Sequence, residues 1–343
     1  MAVLAQNGKA TLMDVALRLD PQGKVADIAE LLMQRNEILL DIPWMEGNLP
    51  TGHQGTVRTG IPQAVWRSYY QGVAPNKSQV AKVTDTCAML EARSEVDADL
   101  ADLNGNTAAF RLSESTAFTE GISQQMTQAV FYSNTATQPE RILGLAPRYS
   151  SLSAANGTNV ISAGGSGSDN TSIWLVVWGQ DTVTGIYPKG SQAGLYHEDL
   201  GKIDAFDGNN NRFRAYADIW KWKCGLHVKD WRCAVRIANI DVSDLVGQTG
   251  TQASTAATNI IKLMIRAMAR VPRVGMGTPA FYANRTIVEM LSIMALDRSQ
   301  NALSIQDAAY QFGEIGVSVR ELRFFGVPVR VVDQLVTTEA VVS

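Results

Sequence analysis

Cys224, His227 and Cys233 stand close together in the chain. Cysteine and histidine at short spacing are the residue types that hold zinc. A structural zinc site takes four ligands, commonly as two close pairs, and here a fourth is missing. The surrounding residues alternate between apolar and polar, which puts His227 on the strand face opposite Cys224. Buried core cysteines are the better reading, because free cysteine behaves as a small hydrophobe. Gly164-Gly165-Ser166-Gly167 points to a second chemistry, phosphate binding. A phosphate loop needs a following Lys-Ser/Thr and a helix, and a dinucleotide site needs its glycines between a strand and a helix. An apolar strand follows instead, so a surface loop is expected. No G-x-S-x-G elbow is present, and His53, His197 and His227 sit in unrelated contexts that suggest no Ser/His/Asp set. Acidic pairs such as Glu198-Asp199 read as solvated turn residues. The chain therefore shows no catalytic, metal or cofactor constellation, and it reads as a non-enzyme that needs no cofactor.

Composition narrows the class. A chain of 343 residues buries a sizeable core and divides into two or three lobes. Hydrophobic residues make up 45% and charged residues 18%, which is a folded rather than a disordered composition. The net charge of −3 gives no global attraction to nucleic acid, whose binders usually carry a basic domain or stripe. No apolar run reaches the ~18 residues of a membrane span, and the first residues lack the charged and apolar regions of a secretion signal. Three cysteines fit no disulfide framework, so reduced thiols in a cytosolic folding compartment are expected.

The elements that must position any site follow from periodicity and breakers. Residues 8 to 41 read as an arm with two helical pieces, one around Leu12, Val15, Ala16 and Leu19, the other around Ile28, Leu31, Leu32, Ile38 and Leu39. Residues 42 to 84 are broken by nine glycines and prolines, which exclude a long helix, with strands expected at Thr56–Thr59 and Gln79–Val83. Met89–Asp97 reads as a continuation of the returning strand, with a helix as the alternative. This hairpin carries Trp66, Tyr69 and Tyr70 among polar residues, too little apolar density to form its own core. Large aromatic anchors that cannot be buried locally suggest contact with another copy of the chain. Ala98–Leu103 is expected to form a short helix, and Asn106 or Thr107 to cap a long one over 107 to 134. Its narrow stripe is Phe118, Ile122, Met126, Ala129 and Val130, with Leu112 further up. Gly121 sits in mid-helix, where glycine costs about 1 kcal/mol relative to alanine, so close approach of another backbone is expected there.

Residues 153 to 172 read as a loop, Ile173–Trp178 as an interior strand, and 181 to 212 as turns and short strands. The alternation over 220 to 237 predicts a hairpin turning at Lys229-Asp230. Its buried face would hold Trp220, Trp222, Cys224, Leu226 and Val228, and its basic face Lys221, Lys223, His227, Lys229, Arg232 and Arg236. That basic face suits DNA contact and a solvated or intersubunit surface equally. A helix through Ile260, Ile261, Met264, Ile265 and Met268 ends at Val271-Pro272, and Asn284 is placed to cap a second. Gly326–Asp333 reads as a strand and Val336–Val342 as another.

Three segments carry a family resemblance: Asp41–His53, Met89–Asp97 and Asn106–Ser113. In these segments, and in the order of its elements, the chain resembles the major capsid proteins of short-tailed bacteriophages with the Hong Kong 97 fold. The resemblance implies an α+β fold with an N-terminal arm (1–46), an extended β-hairpin loop (47–97), a spine helix and peripheral antiparallel sheet (98–245), an axial domain (246–325) and a return to the periphery (326–343). It implies self-assembly into hexamers and pentamers of an icosahedral head enclosing double-stranded DNA, formed in the cytoplasm of a host bacterium. A portal and a decoration protein would be further partners. Capsid-like sequence begins almost at once, which under this resemblance implies a separate scaffolding protein. A tail-tube or decoration protein is the alternative. The intersubunit candidates are Trp66, Tyr69, Tyr70 and Gly121.

Overall fold

In the computed structural model of the chain, residues 33–207, 209–246, 251–296, 303–312 and 315–343 are described. The first arm helix, and Ile28, Leu31 and Leu32 of the second, lie outside these residues. The described chain enters as a short helix, α1 (Ile38–Asp41), and a short strand, β1 (Trp44–Glu46). Strands β2 (Gly52–Gly60) and β3 (Gln79–Thr86) follow, then β4 (Ala88–Asp97), the helical turn α2 (Ala98–Ala101) and the long helix α3 (Thr107–Tyr132). Next come α4 (Leu145–Arg148), β5 (Val160–Ser162), β6 (Asn170–Trp178), β7 (Val183–Tyr187), β8 (Leu195–Phe206), β9 (Arg212–Val228) and β10 (Ala234–Asp241). The chain continues through α5 (Val242–Val246), α6 (Thr251–Arg270), β11 (Thr278–Ala283), α7 (Arg285–Leu296), β12 (Leu303–Phe312), β13 (Ile315–Phe324) and β14 (Val327–Val331).

The core is built around β6, which is buried along its whole length, as its apolar run on both faces predicts. On one edge β10 pairs with it antiparallel, Ala234 opposite Val176. On the other edge β11 does the same, Ala280 opposite Val176. Phe131 at the end of α3 packs its ring near Trp174 and Tyr282, which fixes the long helix to this sheet. At 26 residues α3 spans roughly 39 Å. Ile122, Met126 and Val130 face inward as the stripe predicts. Leu112 does not: it is 70% exposed, and Phe110 takes the inward position instead. Asn106 stands at the N-cap position without a side-chain cap bond, while Thr107 Oγ1 donates to Asp102 Oδ1 at 2.6 Å. Asn284 does cap α7, accepting from the Thr286 amide at 3.1 Å.

Several elements differ from expectation, each for a visible reason. The 220 to 237 segment is not a hairpin. β9 pairs with β4, β7 and β8, whereas β10 pairs with β5 and β6. A short 3-10 turn at Trp231–Cys233, capped by Asp230, redirects the chain between them. The expected basic face breaks up accordingly, because His227 and Arg236 are buried against acidic partners. β4 is a strand, but it does not extend the β2–β3 ladder, which ends at Thr86, and it pairs along its whole length with β9. β8 is a twelve-residue strand rather than a set of turns. Asp199 within it is not merely solvated: it is engaged by Arg111 of α3 at 2.5 Å. The 153 to 172 segment contains β5, which pairs with β10. Val336–Val342 runs without regular strand pairing and is held by side chains, with one bridge between Asn170 and Glu339.

Candidate assembly interface

The β2–β3 ribbon is a two-stranded sheet of its own, and its tip, residues 61 to 78, is exposed throughout. Trp66 is 100%, Tyr69 93% and Tyr70 108% exposed, so the three sequence-expected anchors all face solvent in the isolated chain. Tyr70 also has a φ of 65°, in a turn where the Gln71 amide donates to Ser68 O at 3.2 Å. Glycine or asparagine usually occupies such a position. A non-glycine residue held there costs roughly 1–2 kcal/mol.

The root of the ribbon is as fixed as the tip is free. Asp85, at the end of β3, is buried. Its Oδ1 accepts from Arg148 Nη2 at 2.6 Å, and its Oδ2 lies 2.8 Å from His227 Nδ1 and accepts from the Val228 amide at 3.2 Å. Burial pushes the Asp85 carboxyl up, but the His227 hydrogen bond and the Arg148 guanidinium outweigh it, and its pKa is lowered. His53 on β2 packs edge-on to His227, with ring centroids 4.6 Å apart. Burial, then His227 and Lys229, push the His53 pKa down. Gly55 lies directly over His227, where an added Cβ would stand 2.9 Å from Nε2. Asn48 braces the first turn by exchanging two 2.8 Å hydrogen bonds with the Gln54 backbone.

Beside the root, α3 and β4 leave an apolar groove of about 350 Å³, lined by Leu90, Ala92, Ala117, Phe118, Gly121 and Ile122. Phe118 forms part of its wall and stacks on Trp220 with ring centroids 4.7 Å apart. Among the described residues no backbone makes the close approach expected at Gly121: a Cβ there meets nothing within 4 Å. Gly121 instead opens the floor of this groove. The structure thus separates the four candidate residues into an exposed tip and an open groove, and it does not bring them together in one copy.

The cysteines take no part in this surface. Cys224 and Cys233 are buried and unbridged, with Cys224 Sγ 3.2 Å from Met126 Sδ. Burial pushes the thiols up, Cys233 and the half-buried Cys87 each to about 11. His227 belongs to the ribbon root, a role that strand parity alone did not reveal. The available signal was Asp85, a lone acid closing an arm whose other charges are all basic.

Comparison with known proteins decides the family. The model of the family described as major capsid protein GP7 matches residues 20–343. The chain belongs to that family. It is also similar to a chain of the bacteriophage Epsilon15 structure, with 34% identity, 99% of each chain covered and a TM-score of 0.75. Looser likenesses include the bacteriophage JBD30 capsid (9% identity, 89% of this chain and 93% of that chain, TM-score 0.48). The capsid of a native GTA particle is another (10% identity, 64% and 95%, TM-score 0.44). No curated protein matches the chain. This phage major capsid protein has the α+β Hong Kong 97-type fold and forms the shell of the virion by self-association. Among the described residues no helix is long and apolar enough to cross a membrane.

Proposed function

We propose that this capsid protein closes its shell as hexamers and pentamers through the β2–β3 arm, enclosing double-stranded DNA and performing no catalysis of its own. The observation that carries this is the contrast within one element. The arm root is fixed by Arg148 and the buried Asp85 and His227, while the tip presents Trp66, Tyr69 and Tyr70 fully exposed among the described residues. A rigidly rooted, fully exposed aromatic tip loses little entropy on docking and gains much buried area. In this reading 1–46 is the N-arm, 47–97 the extended loop, 98–245 the spine and periphery, 246–325 the axial domain and 326–343 the return.

A separate scaffolding protein, a portal and a decoration protein are the expected partners. DNA contact is weak and without sequence preference, through scattered Lys and Arg, because the net charge is −3. Electron microscopy and light scattering of the protein with the tip (61–78) replaced by a short Gly/Ser turn test the reading. The expected result is folded subunits that no longer close shells. Shells at the original yield would refute it.

A further inference from the structure

We infer that the basic row on helix α6, formed by Lys262, Arg266 and Arg273, is the surface on which this shell protein meets the phosphate backbone of duplex DNA. This rests on the weak DNA contact just proposed and gives that contact a place in the fold.

The row is visible first as a run of one sign. Between Asp244 and Glu289 the chain carries Lys262, Arg266, Arg270, Arg273 and Arg285 and no acid. Residues 262, 266 and 270 follow at i, i+4 spacing, which puts them on one face of α6, and Arg273 lies just past its end. Arg285 stands apart, because it is paired with Asp333 at 2.6 Å. From Lys262 to Arg270 the helix rises roughly 12 Å, a length over which a DNA duplex presents about seven phosphates.

The row has no counter-charge of its own. Lys262, Arg266 and Arg273 are exposed, and none has a hydrogen bond or ion pair with any described residue. Arg270 between them is half-buried and tied down, its Nη1 donating to Thr158 O and, at 3.0 Å, to Val160 O. Burial, and then the charge of Arg266, push the Arg270 guanidinium below its ordinary range. The helix dipole favours a cation in the last turn, which accounts for Arg270 but does not reach Lys262 two turns earlier. Like charges one turn apart repel. An exposed row of one sign that nothing in the described chain neutralises is the electrostatic footprint of a polyanion.

The chemistry of the face selects which polyanion. No aromatic residue occurs from Asn259 to Pro279, so bases have nothing to stack on and a single strand is not favoured. The centre of a protein–protein interface is apolar, rich in aromatic rings and poor in charge. Among the described residues of α6, Ile265 is the one exposed large apolar side chain. Phosphate contact without base reading is what such a face can make, and that is binding to duplex DNA without sequence preference. The basic face expected at 220 to 237 does not compete, since His227 and Arg236 are buried against Asp85 and Glu339.

The test uses full-length unassembled subunits and a short fluorescent duplex of mixed sequence, with binding followed by anisotropy across a salt series. Each phosphate contact adds about 0.9 to the steepness of log affinity against log salt. The triple variant Lys262→Gln, Arg266→Gln, Arg273→Gln should lose about 2.7 of that steepness while the melting temperature holds, because the replaced side chains are exposed and unpaired. Arg266→Lys with Arg273→Lys keeps the charge and should keep the steepness. Lys262→Gln alone should lose about 0.9, and it decides the matter should the triple variant not fold. Parent subunits that bind the duplex with a steepness unmoved by these changes would overturn the row and leave DNA contact standing elsewhere. A loss produced instead by Arg58→Gln, Arg67→Gln and Lys82→Gln of the arm would do the same. Parent subunits that do not bind the duplex even at low salt would overturn both. Polyglutamate binding the row more tightly than the duplex does would assign it to an acidic protein segment and overturn the DNA assignment.

Discussion

Arg236 on β10 and Glu339 in the last segment form an ion pair at 2.9 Å, with each side chain only 5% exposed. Glu339 Oε1 also accepts from Tyr132 OH at 2.5 Å, and its Oε2 accepts from the Ser172 hydroxyl. Arg236 Nη1 donates to Tyr149 O at 3.0 Å. The final segment, the end of α3 and two core strands thus meet at one buried carboxylate. Glu339→Ala leaves the guanidinium buried without its carboxylate and should cost on the order of 3–5 kcal/mol. Chemical denaturation of unassembled subunits measures this. A loss below ~1 kcal/mol would show that the segment detaches without consequence.

The arm root should behave in the same way on a smaller scale. Asp85→Ala removes the acceptor shared by Arg148, His227 and the Val228 amide, for an expected loss of about 3 kcal/mol. Gly55→Ala drives a methyl group toward the buried His227 ring and should cost about 1–3 kcal/mol. Limited proteolysis should show the arm of both variants cut sooner than that of the parent. Equal cleavage rates would separate arm order from this cluster.

Acid should loosen the root in two stages. The folded pKa of His53 lies below its ordinary 6.5, so below pH 6.5 the unfolded chain takes a proton that the folded chain declines. Stability is then lost as pH falls toward the folded value. The folded pKa of Asp85 lies below 3.8, so its contribution is present above 3.8 and disappears as pH drops further through the folded value. Melting temperatures recorded from pH 8 to pH 3 should decline first below ~6.5 and again below ~3.8. His53→Asn should abolish the first decline, and its persistence in that variant would assign it elsewhere.

Trp66→Ala should leave subunit stability within about 0.5 kcal/mol, because an exposed ring contributes little to its own fold. Shell yield should fall sharply, since a buried aromatic anchor at an interface is worth about 2 kcal/mol or more. Lost subunit stability with normal shells would reverse the assignment.

What was legible in the chain was whatever local periodicity controls. The interior strand through Ile173–Trp178, the long helix, the ribbon strands and the Asn284 cap all follow from residues a few positions apart. What failed depended on partners far along the chain. β9 and β10 look like a hairpin because each alternates cleanly, but each finds its partners elsewhere. His227 and Arg236 read as surface cations until Asp85 and Glu339 arrive, 142 and 103 residues away. The tip residues Trp66, Tyr69 and Tyr70 were visible as misfits, aromatic rings without a local core. The groove was not, because Leu90 and Phe118 become neighbours only when β4 lies along α3. At Gly121 no backbone approaches among the described residues of one copy, and the space beside it is open.

The two-stranded ribbon leaves an unpaired edge on each side, since among the described residues β2 and β3 form a backbone ladder with each other and with no other strand. Open edges of this kind recruit further strands and lead to amorphous stacking. Here every charge exposed along the ribbon has one sign, Arg58 and Lys82 on the strands and Arg67 and Lys77 at the tip. Two ribbons approaching side by side repel, so subunits newly released from the ribosome and waiting at high concentration do not polymerise arm upon arm.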